Sequence, residues 1–165
     1  MRLVVISDTH LKDKNIDRLK QFLDSIEDFD LIIHCGDLLS YKTYETIIAS
    51  KKCVAVHGNN DDDRCKAELK EKVIINIQGY SIGIFHGHGN KGTTLQRVEK
   101  MFDEDAVDII LYGHSHKASI FTQKGILYMN PGSLFYKRKE KWCSYISLNV
   151  EENNLNAEIR FFKNC

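Results

Sequence analysis

Five short aliphatic runs, each followed at once by polar residues and turn formers, limit the fold of this chain more than any other feature of its sequence. They occupy residues 3–6, 31–33, 54–56, 82–85 and 109–112. Short runs rich in valine and isoleucine, bounded by turn residues, are typical of strands that are buried on both faces. The five runs therefore predict the central strands of an α/β protein.

Helical patterns separate several of these runs. Over residues 15–27 apolar residues recur at three- and four-residue spacing with polar residues between them, which predicts an amphipathic helix. Further helices are predicted over residues 41–50 and 93–104, the last with Thr93 or Thr94 as its N-cap. Alternating strands and helices favour right-handed crossovers and parallel strands in the N-terminal part.

The C-terminal part shows the pattern of antiparallel hairpins. Its strands are predicted over residues 118–122, 126–129, 143–150 and 155–162. The charge-rich residues 61–72 fit either a short helix or a solvated segment. A length of 165 residues with 42% hydrophobic residues suits one core. We therefore expect residues 1–165 to form one domain, with two sheets between helices.

Composition excludes several function classes. The 23 basic residues equal the 23 acidic ones, so the chain as a whole does not attract nucleic acid or anionic lipid. No apolar run approaches the roughly 20 residues of a membrane span, and the N-terminus does not resemble a signal peptide. Five widely spaced cysteines, without a Cys-x-x-Cys pair, favour reduced thiols. These features predict a cytoplasmic protein.

All seven histidines lie at or just after the C-terminal end of one of the five runs, together with acidic and amide residues. Since ligands bind at the carboxyl ends of parallel strands, we expect these side chains to converge. Imidazole nitrogens mixed with carboxylate and amide oxygens suit Mn, Fe, Co, Ni or Zn. The candidate metal ligands are Asp8, His10, Asp37, Asn59, His86, His114 and His116.

Seven candidate ligands are too many for one metal ion with an open position. Two ions that share a bridging carboxylate fit better, and such pairs act on phosphoesters. Two divalent ions against Asp8 and Asp37 would also leave a net positive pocket in a neutral protein.

Six motifs carry a resemblance to a known family. They are Ser7-Asp8-Thr9-His10, Gly36-Asp37, Gly58-Asn59-Asn60-Asp61, His86-Gly87-His88, Gly113-His114-Ser115-His116 and Asn130-Pro131-Gly132-Ser133. In order and approximate spacing the chain resembles the calcineurin-like metallophosphoesterase superfamily, and most of all its small, cap-less phosphodiesterases of the YfcE type. The resemblance implies a four-layer αββα sandwich without a cap or accessory domain.

The resemblance also implies roles for the residues that match. Asp8, His10 and His116 would bind one divalent ion, Asn59, His86 and His114 the other, and Asp37 would bridge them. Manganese is the metal most often implied, with nickel, iron and zinc as alternatives. The implied reaction is hydrolysis of a small phosphodiester by a water or hydroxide that bridges the two ions.

The sequence departs from the family pattern at Asn60, where many members have a histidine that is thought to protonate the leaving group. An amide cannot act as a general acid at neutral pH. His88 is the candidate substitute, and His88 and Asn59 are predicted to stabilise the developing charge. Asp61 is expected to orient a neighbouring group or to cap the following segment. Without a strong acid, substrates with good leaving groups are favoured.

Other interpretations stay open. The superfamily includes a retromer subunit whose altered site serves protein binding, so the alternative function is a metal-stabilised binding scaffold with little or no activity. A nuclease is disfavoured because the chain lacks an extended basic surface. His34, His57 and Cys35 are read as structural, and residues 137–141 as a solvated loop rather than a grip for a phosphate or base. Whether residues 130–133 form a structural turn or face a phosphate, and whether the chain forms a homo-oligomer, is undecided.

Overall fold

Two five-stranded sheets form the centre of the protein, which we describe from a computed structural model for residues 1–26 and 28–163. In chain order the strands are β1 (Arg2–Ile6), β2 (Leu31–His34), β3 (Cys53–Ala55), β4 (Lys72–Ile77), β5 (Tyr80–Phe85), β6 (Ile109–Leu111), β7 (Ser119–Gln123), β8 (Ile126–Asn130), β9 (Cys143–Glu151) and β10 (Asn154–Phe162). One sheet has the order β10-β9-β1-β2-β3 and the other β4-β5-β6-β8-β7.

The described helices pack on the outer faces of the sheets and in the connections. They are α1 (Ile16–Ser25), α2 (Tyr41–Ile48), α3 (Asp63–Glu68) and α4 (Thr94–Met101), with a short 3-10 helix at Asp13–Asn15. Alternation along β1 shows how the layers form. Leu3 and Val5 pack in the core between the sheets, whereas Val4 and Ile6 pack in a second cluster with residues of α1. A third cluster joins α4 to the opposite sheet. The predicted sandwich of two mixed sheets flanked by helices is therefore confirmed.

The register of the parallel strands brings their ends to one edge. Ile6 pairs with His34, and His34 with Ala55, so β1, β2 and β3 end side by side. β5, β6 and β8 are also parallel neighbours. All five predicted runs are strands, but they divide three and two between the sheets. The five aliphatic runs do not include β4, which pairs antiparallel with β5.

Element ends follow local chemistry. Thr93 is the N-cap of α4 and forms a capping box with Gln96. The segment 61–72 contains α3, which Asp62 caps by accepting a hydrogen bond from the Cys65 N–H, and then enters β4. α1 ends at Ser25, before the predicted end at residue 27, which lies outside the described residues.

Two expectations from composition can also be compared with the structure. Cys35, Cys53 and Cys65 are free, as expected. Cys143 is disulfide-bonded, so the prediction of reduced thiols throughout is wrong for this residue, and Cys165 lies outside the described residues. None of the helices in the described part of the chain has the length and apolar character that a bilayer span requires.

Candidate metal centre

The loops after four parallel strands bring most of the predicted ligands together. Asp8 and His10 follow β1, Asp37 follows β2, His86 follows β5, and His114 and His116 follow β6. Their potential ligand atoms form two groups, in each of which the atoms lie within 4.8 Å of one another. The first group is Asp8, His10 and His116, and the second is Asp37, His86 and His114.

The carboxylate of Asp37 lies between the two groups. Its Oδ2 is 3.2 Å from Nε2 of His86, a member of its own group. The same oxygen is 3.5 Å from Nε2 of His10 in the other group. His10 Nε2 is also 3.7 Å from Oδ1 of Asp8. One carboxylate oxygen is therefore within reach of both groups.

Two histidines have their tautomers set by backbone carbonyls. Nδ1 of His86 donates to the carbonyl of Cys35 at 2.7 Å, and Nδ1 of His116 donates to the carbonyl of Tyr136 at 2.6 Å. In the neutral ring each Nε2 then carries a lone pair. His116 Nε2 faces Oδ1 of Asp8 at 3.1 Å, and His86 Nε2 faces Asp37. A lone pair against a carboxylate oxygen is repulsive unless a cation or a proton lies between them.

The pattern of unpaired polar atoms tests whether these residues fit a divalent metal. Among the described residues, Asp8 Oδ1, His86 Nε2 and His114 Nδ1 are buried and have no hydrogen-bond partner. Buried polar atoms without partners are rare in proteins because each one costs free energy. These three atoms belong to the two groups, and nitrogen with carboxylate oxygen is a donor set for borderline divalent ions. The residues therefore fit divalent metal ions.

The protonation states of these side chains also favour divalent metal ions. Burial opposes ionisation of Asp8, but the nearby imidazole rings of His10, His116 and His86 hold its pKa well below the usual range. The pKa of Asp37 is likewise lowered, because the interactions of His86 and Asn60 outweigh burial. Burial lowers the pKa of His114 to about 4, so this ring is neutral near pH 7. Two ionised carboxylates and a neutral imidazole are the forms in which these side chains bind metal ions.

The backbone at the ligands is strained. Left-handed φ angles cost non-glycine residues about 1–3 kcal/mol each, and they persist only where the surroundings enforce them. The carbonyls of Gly36 and Asp37 accept hydrogen bonds from the N–H groups of Asp8 and His10, at 3.0 and 3.1 Å. The ligands with left-handed angles are Asp8 (51°), His10 (46°), Asp37 (58°), His114 (67°) and His116 (59°). Such clustering of strain is typical of functional sites.

Residues 130–133 form a structural turn that supports the site. The buried Ser133 hydroxyl donates to the carbonyl of Asp8 at 2.7 Å and accepts from the N–H of Tyr136 at 2.8 Å. Asn130 Nδ2 donates to the carbonyl of Gly113 at 2.9 Å. Because these side chains bond to backbone around the ligands, the structure favours the turn over a phosphate-facing role.

Asn60 contacts the carboxylate of Asp37, a contact that the sequence analysis does not predict. Its backbone N–H donates to Oδ1 of Asp37 at 2.9 Å, and its side-chain Nδ2 donates to Oδ2 at 2.7 Å. The neighbouring Asn59 is exposed, and within the described residues its side chain makes no hydrogen bond. The sequence signal for this contact is the side-chain amide of Asn60, which is a hydrogen-bond donor suited to the carboxylate of the Gly36-Asp37 motif.

Asp61 has the orienting role that its position predicted. Its carboxylate accepts hydrogen bonds from the backbone N–H groups of Gly58 at 2.6 Å, Asp37 at 3.1 Å and Leu39 at 2.6 Å. It therefore joins the loop after β3 to the loop after β2. The cap of the following helix is Asp62 instead.

The other three histidines lie outside both groups. His34 is buried between Thr9 and the N–H of Gly36, and burial lowers its pKa to about 3, so it is a neutral structural residue. His57 is partly exposed, 6.0 Å from the ring of His88. His88 is half-buried, with its ring 5.7 Å from that of His86 and its Nε2 3.3 Å from Glu71. Burial lowers the pKa of His88.

Comparison with known proteins identifies the family. Residues 1–153 match the calcineurin-like phosphoesterase superfamily domain. The chain belongs to this superfamily. Over 135 residues, 81% of this chain and 68% of the relative, it is 36% identical to a probable metallophosphoesterase of Methanocaldococcus jannaschii. It is 29% identical to a phosphodiesterase of the same organism over 144 residues, 80% of this chain and 83% of the relative.

The fold of this chain also occurs in a solved structure that is not named as a phosphoesterase. The crystal structure of Vps29 from Chaetomium thermophilum aligns over 100% of both chains with a TM-score of 0.76. The sequences are only 18% identical, so this similarity concerns the fold alone.

The contact between Asn60 and Asp37 leads to a prediction about metal affinity. Replacing Asn60 by Ala removes the side-chain donor from the carboxylate that lies between the groups. Losing a hydrogen bond that orients a metal ligand typically weakens metal binding by about 10- to 100-fold. Calorimetric titration with Mn²⁺ measures the change, and Asn153→Ala, an exposed residue in the β9–β10 turn, is the control. Equal Mn²⁺ affinities for Asn60→Ala and the parent would contradict the orienting role.

Proposed function

We propose that this superfamily member is a dimetal-dependent phosphodiesterase. In this proposal Asp37 would be the ligand that the two ions share. Asp8, His10 and His116 would hold one ion, and Asn59, His86 and His114 would hold the other. The observation that carries it is the position of Asp37 Oδ2, within 3.2 Å of His86 Nε2 and 3.5 Å of His10 Nε2. The proposed ion is Mn²⁺, with nickel, iron or zinc as alternatives.

The chemistry that two divalent ions supply when bound is activation of a water molecule for in-line attack on phosphorus and neutralisation of the phosphoryl oxygens. The chain's own residues prepare the site for it. Asp8 and Asp37 stay ionised, and the carbonyls of Cys35 and Tyr136 direct the Nε2 atoms of His86 and His116 inward. Because these groups are oriented before substrate binds, little reorganisation is needed during the reaction.

His88 and Asn59 are proposed to stabilise charge on the phosphoryl group or the leaving group. His88 lies next to the ligand His86, and its Nδ1 is buried without a hydrogen-bond partner among the described residues. Asn59 is exposed beside Asn60 and so can contact a substrate from solvent. Since the amide of Asn60 cannot donate a proton as an acid, esters with good leaving groups are the expected substrates.

A small phosphodiester in the cytoplasm is the substrate class that we propose. The balanced charge of the chain supports this proposal over a polynucleotide substrate, which would require an extended basic surface. The alternative is a metal-stabilised scaffold of the same fold that binds a protein partner and has little or no activity.

Hydrolysis of bis(p-nitrophenyl) phosphate with Mn²⁺, and with a chelator, tests the proposal. We expect Mn²⁺-dependent turnover that chelator abolishes. His114→Ala should abolish turnover while the protein stays folded, because a ligand of one site is lost, and His88→Gln should lower kcat with Mn²⁺ binding retained. His57→Gln is the matched control and should retain activity. If the Mn²⁺-loaded parent has no turnover and His114→Ala only lowers the Tm, the scaffold alternative is correct.

A further inference from the structure

Tyr136 presents an exposed aromatic ring beside the first group of ligands. The residue is 56% exposed, although its ring centroid is 5.3 Å from that of His10, at an interplanar angle of 63°. It is also 6.2 Å from the ring of His116, at 70°. This large aromatic side chain therefore contacts two candidate metal ligands and still faces solvent.

The backbone of Tyr136 is fixed on both sides. Its N–H donates to the buried hydroxyl of Ser133 at 2.8 Å, and its carbonyl accepts from Nδ1 of His116 at 2.6 Å. Its phenol hydroxyl makes no hydrogen bond within the described part of the chain. The backbone therefore has a role in the site, whereas the ring has no polar partner that explains its position. A ring held in this way loses little conformational freedom when a second ring stacks on it.

The residues after Tyr136 are strongly basic. Residues 137–141 contain three lysines and one arginine in the loop between β8 and β9. In a chain with zero formal net charge, this segment, which also contains Glu140, is a local concentration of positive charge directly after Tyr136 in the sequence. An aromatic face followed by cations is a combination that suits a nucleotide, since the base can stack and the phosphate is anionic.

We propose that Tyr136 is a stacking platform for the base of a nucleoside phosphodiester, which makes it a specificity-determining residue of this site. The proposal rests on the proposed phosphodiesterase function and narrows its substrate class from small phosphodiesters in general to those with a planar aromatic group. The phosphate lies at the ligand groups, and the base extends over the Tyr136 ring next to His10.

Two substrates with the same leaving group test this specificity. Thymidine 5′-(p-nitrophenyl phosphate) offers a base, whereas ethyl p-nitrophenyl phosphate does not. In Tyr136→Leu we expect kcat/KM for the thymidine ester to fall about tenfold, mainly through KM, because stacking on an aromatic side chain is lost. The ethyl ester, which has no base, should lose severalfold less activity, so the ratio of the two kcat/KM values falls in Tyr136→Leu. Tyr136→Phe should retain the preference, and Phe161→Leu, at an equally exposed aromatic residue remote in sequence from the ligands, is the control.

Binding without turnover separates this proposal from the proposed function. Thymidine 5′-monophosphate and ethyl phosphate are titrated into the Mn²⁺-loaded parent and into Tyr136→Leu. If the parent hydrolyses neither ester, but Tyr136→Leu binds thymidine 5′-monophosphate more weakly than the parent does, the platform stands and the phosphodiesterase function fails. If both esters lose activity equally, or if neither activity nor nucleotide binding changes, the platform is wrong.

Discussion

Replacing Asp37 by Asn is expected to lower kcat for bis(p-nitrophenyl) phosphate by about a thousandfold or more. The substitution keeps the shape of the side chain but removes one of the two buried charges that balance divalent ions. It also places an amide nitrogen next to a donor, because Asn60 donates to both oxygens of Asp37. A loss of about 4 kcal/mol of transition-state stabilisation corresponds to this change in rate, and metal ions commonly contribute several kcal/mol.

Steady-state kinetics with saturating Mn²⁺, together with a Mn²⁺ titration, measure the effect of Asp37→Asn. The titration should also show loss of one or both binding events, since Asp37 is the carboxylate within reach of both groups. Asp24→Asn on the exposed face of α1 is the matched control and should leave both measurements unchanged. Equal turnover and equal Mn²⁺ stoichiometry in Asp37→Asn and the parent would rule out the proposed role of Asp37.

The convergence of the ligands could be predicted from the sequence because it depends on local order. A strand followed by a glycine or a polar turn places the next side chain at the carboxyl edge of the sheet, wherever the strand lies in it. The strand order was therefore not needed to predict that these ligands converge: Asp8, Asp37, His86 and His114. The helix over Ile16–Ser25 was equally accessible, because its apolar spacing alone specifies the buried face.

The supporting contacts could not be predicted, because they join residues far apart in the chain. Ser133 bonds the backbone of Asp8 across 125 positions, and Asn60 reaches Asp37 across 23. The division of the strands into two sheets is likewise long-range, since β1 pairs with β9 near the other end of the chain. The spacing of apolar residues shows which face of a strand is buried. It does not show which sheet the strand joins, because strands of both sheets turn an apolar face to the shared core.

The packing of Gly58 against Asp37 leads to the second large effect that we expect. A Cβ atom at Gly58 would lie 2.3 Å from Oδ1 of Asp37, 2.6 Å from its backbone nitrogen and 2.8 Å from Cδ2 of His86. The carboxylate of Asp37 cannot move away freely, because its two oxygens accept hydrogen bonds from Asn60. The backbone N–H of Asp37 also donates to the carboxylate of Asp61. Glycine is therefore required here by close approach, and not by an unusual φ angle.

Gly58→Ala should consequently lower the free energy of unfolding by about 3 kcal/mol, near the upper end of the usual cost of overpacking. In a chain of this length that corresponds to a fall in Tm of about 6–12 °C, which calorimetry or circular dichroism can measure. Gly125→Asn is the matched control: its site has open space, and asparagine tolerates the left-handed φ of 80° in the β7–β8 turn. Because the new methyl group must displace Asp37 or His86, Mn²⁺ affinity should fall together with stability, although Gly58 contributes no ligand atom. A Gly58→Ala protein with the Tm and Mn²⁺ affinity of the parent would mean that the loop after β3 does not hold Asp37 in place beside His86.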